Sequence, residues 1–126
     1  MNINLFKKAI SDSTSLKTQL LNSFKIIDKI EKIIYETLKA KNKILICGNG
    51  GSAADAQHLA AEFIVRLKPN FNRSPLPIIP LALDTSSITA CGNDFSFDKV
   101  FTRPFEALAK KGDLLFVLST SGNSKN

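Results

Sequence analysis

Lys43-Ile44-Leu45-Ile46-Cys47-Gly48-Asn49-Gly50-Gly51-Ser52 is the stretch that decides the fold. After its first residue the run to Cys47 is wholly apolar and rich in isoleucine, the composition of a parallel strand buried on both faces. The glycines that follow allow backbone conformations and close approaches closed to other residues. From about Ser52 to Leu67 the pattern becomes helical. A strand, a glycine turn and a helix in that order form a cradle for an anion. The amides at the helix start and the positive end of its dipole point to one spot.

A second turn rich in glycine and hydroxyls, Ser119-Thr120-Ser121-Gly122-Asn123-Ser124, follows another buried-strand run, Leu114 to Leu118. Two such turns at neighbouring strand ends make a phosphate grip, and neutral hydroxyls and amides hold it without a lysine. Between them, Pro69 to Pro80 carries four prolines and marks a connection, within which Ile78 to Leu83 reads as a strand. Asp84-Thr85-Ser86-Ser87 caps a short helix that ends before Gly92-Asn93-Asp94, and Phe97 to Lys111 contains another. Phe95, Phe97, Phe101 and Phe105 read as core. Strands alternating with helices at this spacing specify an α/β fold: a doubly wound parallel sheet with helices on both faces and ligands at the carboxyl ends of the strands. Internal repeats and low-complexity segments are absent from the sequence.

The residues before this unit are helical. Ser11 to Ser15 offers caps before Leu16, Leu20, Leu21, Phe24 and Ile27, and a second pattern runs through Ile30, Ile33, Ile34 and Leu38, with a boundary near Asn22-Ser23. Residues 1–42 therefore read as a helical oligomerisation segment and residues 43–126 as the α/β domain. The apolar stripes of the helices call for a partner surface, which implies a homo-oligomer.

At 126 residues the chain is long enough for a real core. Its formal charge of +6 comes mostly from nine lysines against four acids in residues 1–44. These are spread around helices without arginine or interleaved aromatics, so they read as a solvated face, and a nucleic-acid partner is not expected. No run approaches the roughly 20 apolar residues of a membrane span, and the N-terminus lacks the order of a signal peptide, so a cytoplasmic protein without a membrane partner is expected. Cys47 and Cys91 read as reduced core thiols. The helix that should follow the second turn would begin at Lys125-Asn126, so the chain reads as the amino-terminal portion of a larger fold, cut after its third strand.

His58 and Glu62, four residues apart, share one helix face. Leu59, Ala60, Ala61, Phe63 and Ile64 predict that this helix is largely buried, where a glutamate without a task or a cation is costly. Alone, His58 is an ordinary helix histidine and Asp94 a turn or cap residue. In combination, Cys47 to Ser52, Asp55-Ala56-Gln57-His58 with Glu62, Cys91-Gly92-Asn93-Asp94-Phe95 and Ser119 to Ser124 resemble the sugar isomerase (SIS) domain of the phosphoheptose isomerase family. The likeness runs in order to Asn126 but covers only about two thirds of a family-length protein.

The resemblance implies interconversion of sedoheptulose 7-phosphate and D-glycero-D-manno-heptose 7-phosphate through an enediol, the first step towards heptose in lipopolysaccharide or other surface glycans. It implies Glu62 as the catalytic base, and zinc bound by His58 and Glu62 together with a Gln and a His from a late helix. By matching position, Ser52, Ser119, Thr120, Ser121 and Ser124 would grip the phosphate, while Asn49, Gly50, Gly51, Glu62, Asn93 and Asp94 would line the sugar. A homotetramer is implied as well. Two other readings share the fold: a non-catalytic relative that binds a replication initiator, and a sugar-phosphate sensing domain. The presence of both His58 and Glu62 argues against each.

Overall fold

The structure, a computed structural model, describes residues 2–126. The chain forms two compact units, Met1–Tyr35 and Glu36–Asn126. In the first, α1 (Ile3–Gln19) leads through a 3-10 turn, Leu20–Ser23, into α2 (Phe24–Lys39). The turn falls where Asn22-Ser23 predicts a boundary. The start of α1 does not follow the sequence expectation. Ser11 to Ser15 lie inside the helix, because Thr14 and Thr18 turn their hydroxyls back to the carbonyls of Ile10 and Thr14, at 2.9 and 3.0 Å. Asn2 serves as the cap instead, its Oδ1 accepting from the Asn4 amide at 3.0 Å. Among the described residues of α1 and α2 none is buried, and Leu16, Leu20, Leu21, Phe24 and Ile27 are exposed.

The second unit is built on β1 (Ile44–Gly48), whose Ile44, Leu45 and Ile46 are fully buried. The three-stranded sheet has the order β2-β1-β3, with β2 (Ile78–Pro80) and β3 (Leu114–Leu118) both parallel to β1. The register pairs Ile44 with Ile78 and Leu114, and Gly48 with Leu118. Successive side chains of β1 point to opposite faces. Leu45 and Cys47 join Leu81, Cys91, Val100 and Phe101 in a core completed by Ile79, Ile88 and Phe105. That face is covered by α4 (Thr85–Asp94) and α5 (Thr102–Leu108). On the other face lies α3 (Gly51–Ile64), which buries the small side chains of Ala56 and Ala60. The predicted doubly wound parallel arrangement is thus the one observed.

Several boundaries differ from the sequence reading. β2 stops at Pro80, not Leu83: the Leu81 amide still donates to the Ile46 carbonyl at 2.8 Å, and the chain then turns towards α4. Proline, lacking an N–H, suits the edge position. α4 continues through Gly92 to Asp94, its last turn closed by the Phe95 amide on the Cys91 carbonyl at 3.0 Å, while Asp84 caps its start, accepting from the Ser86 amide at 3.0 Å and from the Ser87 hydroxyl. These bonds, the Ser87 hydroxyl foremost, hold the Asp84 carboxyl below its usual range. Phe101 is buried and Phe105 partly so, but Phe95 and Phe97 are exposed, and the Phe95 ring instead carries the Arg103 guanidinium 4.1 Å from its centroid. Cys47 and Cys91 are free and buried, and burial pushes the Cys47 thiol up.

Asp113 ties the amino-terminal ends of β1 and β3 together. Its carboxylate accepts from the Lys43 amide at 3.0 Å and the Lys110 amide at 2.7 Å, and pairs with the Lys43 ammonium. The Lys43 side chain first, then its amide, hold the carboxyl down from 3.8 to about 2. A carboxyl depressed in the folded state adds stability that is fully present above its unfolded value and is lost as pH falls towards its folded one. Acid titration of unfolding should therefore show a loss of stability between about pH 4 and 2 that Asp113→Asn lacks. Identical slopes in the two proteins would remove Asp113 from the acid response.

Candidate active site

Sterics at the carboxyl end of β1 fix the first turn. A Cβ on Gly48 would lie 2.7 Å from Ser52 Cβ and 2.8 Å from the Ser52 carbonyl carbon and oxygen, so the strand passes directly beneath the first turn of α3. Gly50, at φ 55°, caps the helix in a region that side chains rarely adopt. The Ser52 amide closes the turn onto the Asn49 carbonyl at 3.0 Å. Gly50 offers no side-chain cap and the first turn of α3 holds no acid, which leaves the positive end of this helix without a counter-charge from its own residues.

The second turn is braced by its own hydroxyls. Ser119 Oγ accepts from the Gly122 amide at 2.9 Å and Ser121 Oγ from the Asn123 amide at 3.2 Å. Two of the second turn's amides are thus bonded within the turn itself. The Gly122 and Asn123 amides are engaged, while each hydroxyl keeps its own hydrogen to donate.

Because β1 and β3 are parallel neighbours, both turns open at the same sheet edge. Asn49 and Gly48 from the first and Ser119, Gly122 and Ser124 from the second line one cleft of about 200 Å³, floored by Cys47, Phe101, Val117 and Leu118. Gly50, Gly51 and Ser52 continue from Asn49 into α3, and Thr120 and Ser121 are exposed in the second turn. Asn126, which the sequence reading passed over, also lines the cleft and exchanges two hydrogen bonds with Asn49, at 2.8 and 3.0 Å. A partner 77 positions away leaves no local signal in a sequence.

His58 and Glu62 do share a helix face, with Nε2 and Oε1 3.3 Å apart. Their surroundings differ from expectation. The His58 side chain is 79% exposed and that of Glu62 25% exposed, since only Ala56 and Ala60 of α3 are buried; the argument from costly burial of an unpaired carboxylate falls away. Glu62 does not line the cleft. It stands eleven residues beyond Gly51, about 16 Å along the helix axis, in a hollow with Leu59, Phe63, Leu67, Arg73 and Leu76.

Arg73, also missed in the sequence, donates to the Glu62 and Ser74 carbonyls, and the Leu76 amide donates to the Phe63 carbonyl at 3.1 Å. A cation after a helix, set among prolines, is the signal that would have found this cap. Asn93 and Asp94 lie together at the end of α4, bonded at 2.8 Å, and Asp94 lines another cleft with Ser87, Phe95 and Arg103. The structure thus joins the two turns at one cleft and places Glu62 and Asp94 in two other hollows, with His58 and Asn93 exposed beside them.

Zinc would find two suitable donors here, His58 Nε2 and Glu62 Oε1. A protein-held zinc takes at least three, and among the described residues no group of three His, Cys, Asp or Glu side chains is placed to hold a metal. The chain's own residues do not by themselves fit that ion. No helix among the described residues is long and apolar enough to cross a membrane.

Comparison with known proteins gives concordant results. Residues 10–126 match the profile of the family described as SIS domain. The chain is 62% identical over 95 residues to the phosphoheptose isomerase of Campylobacter concisus, covering 75% of this chain and 49% of that protein. It is 61% identical over 100 residues to the phosphoheptose isomerase of Aliarcobacter butzleri, covering 79% and 52%. A solved phosphoheptose isomerase from Francisella tularensis superposes with a TM-score of 0.92 at 32% identity, covering 100% of this chain and 66% of that one. The chain spans about half the length of the curated relatives it matches.

Proposed function

Since this chain belongs to the SIS domain family, we propose that it carries the sugar-phosphate-binding part of a phosphoheptose isomerase, which interconverts sedoheptulose 7-phosphate and D-glycero-D-manno-heptose 7-phosphate at the start of heptose biosynthesis. The observation that carries this reading is the convergence of the two turns on one cleft, in a chain 62% and 61% identical over 95 and 100 residues to two proteins of that name.

The phosphate seats in that cleft. The Ser119 and Ser124 hydroxyls that line it donate to its oxygens, with Ser121, Thr120 and Ser52 beside them, and the start of α3 supplies a positive potential. The sugar extends past Asn49, Gly50 and Gly51, with Asn93 and Asp94 on the side of α4. In the seven-carbon substrate the phosphate on C7 and the reacting C1 and C2 are at opposite ends, so a base far from the cradle is what the chemistry requires. Glu62 takes a proton from C1 of the ketose, the C1–C2 enediol forms, and the proton is returned to C2 as a hydroxyl proton passes between the two oxygens. Arg73, bonded to the Glu62 carbonyl, fixes the end of α3 on which that base stands.

In this reading the protein works as a homo-oligomer. The exposed apolar stripes of α1 and α2 are its contact surface. Glu62, which does not share a cavity with its own chain's cleft, meets the sugar end of the substrate in the assembled protein. Zinc is proposed for the assembly only, with His58 and Glu62 as this chain's donors, and no step above passes through it.

Calorimetric titration of the chain with sedoheptulose 7-phosphate and, separately, with free sedoheptulose tests the reading. Saturable binding is expected for the phosphate ester and not for free sedoheptulose. Equal binding of both, or of neither, would overturn it.

A further inference from the structure

The two turns that form the cleft are each braced from within, the first by the Ser52 amide on the Asn49 carbonyl and the second by its own serines. Across the cleft the contact is of another kind. Asn49 Nδ2 donates to Asn126 Oδ1 at 2.8 Å while Asn126 Nδ2 donates to Asn49 Oδ1 at 3.0 Å, and both side chains are partly buried. A reciprocal amide pair uses a donor and an acceptor of each partner, so it fixes both separation and orientation.

We propose that Asn126 is a positioning residue for phosphate binding: paired with Asn49, it clasps the second turn to the first and sets the width of the cleft. The inference rests on the phosphate reading given above. Gly50 at φ 55° and Gly122 at φ 67° leave each turn without a bulky side chain to pack it in place. The amide pair supplies that restraint. A cleft held at one width presents the Ser119 and Ser124 hydroxyls and the start of α3 to a single tetrahedral anion. The ordering is then complete before the ligand arrives and is not charged to binding.

The test uses the whole chain with inorganic phosphate as probe, read by phosphorus NMR, and thermal unfolding read by circular dichroism. Asn126→Ala and Asn49→Ala should each weaken phosphate binding about tenfold, the loss of two neutral hydrogen bonds. The double variant should lose no more than either single one, because the residues act as a unit. Asn126→Leu keeps about the same size without adding charge while removing both amide partners, and should weaken binding with unfolding little changed.

Losses that add in the double variant, or phosphate binding in Asn126→Ala equal to that of the parent chain, would overturn the clasp and leave the phosphate reading intact. A parent chain that binds no phosphate would overturn both.

Discussion

In the isomerase proposed above, replacing Glu62 by glutamine is expected to slow exchange of the C1 hydrogen of sedoheptulose 7-phosphate, and of the C2 hydrogen of the aldose, with solvent by about 10²- to 10⁴-fold, the usual worth of a positioned base. Affinity for the sugar phosphate should be unchanged. The amide has nearly the same shape as the carboxylate, keeps the side chain on the same face of α3, and cannot accept the proton. Because Glu62 stands in a hollow apart from the cleft, the substitution does not touch the phosphate grip, so binding and proton transfer separate cleanly. Deuterium incorporation measured beside a phosphorus NMR titration checks both halves. Undiminished exchange in Glu62→Gln would take this residue out of the chemistry. A parallel loss of affinity would instead place Glu62 among the binding groups.

The second large effect is structural and lies under the cradle. Gly48→Ala sets a methyl group 2.8 Å from the backbone carbonyl of Ser52, where no flexible side-chain end can give way. The expected cost is about 1–3 kcal/mol of stability, seen as a lower urea midpoint. Phosphate affinity should fall as well, because the first turn of α3 must lift away from the strand. Gly51→Ala is the control: a Cβ there meets nothing within 4 Å and its φ is not positive, so stability should change by no more than about 1 kcal/mol. If the two substitutions behave alike, close approach at Gly48 is not what holds the cradle in shape.

Local sequence signals carried much of this fold. Ile44 to Cys47, too apolar for anything but a central strand, was observed at the middle of the sheet. The turn at Asn22-Ser23 and the cap at Asp84 likewise follow from residue type and spacing within a few positions. Where the reading failed, a competing bond decided. Threonine hydroxyls that look like caps were drawn back into α1, and Phe95 and Phe97, apolar enough for a core, were left outside it.

The sequence by itself determined the parallel α/β architecture, the two glycine-bearing turns and the shared face of His58 and Glu62, because each depends on neighbours a few residues apart and on periods of two or 3.6. Tertiary structure alone decided that the turns meet in one cleft, that Asn126 reaches Asn49, that Arg73 caps the helix bearing Glu62, and that Glu62 is paired and part-exposed, not buried. Those facts depend on strand order and on contacts between distant positions. They come into being only when β1 and β3 lie side by side and the connection after α3 folds back onto it.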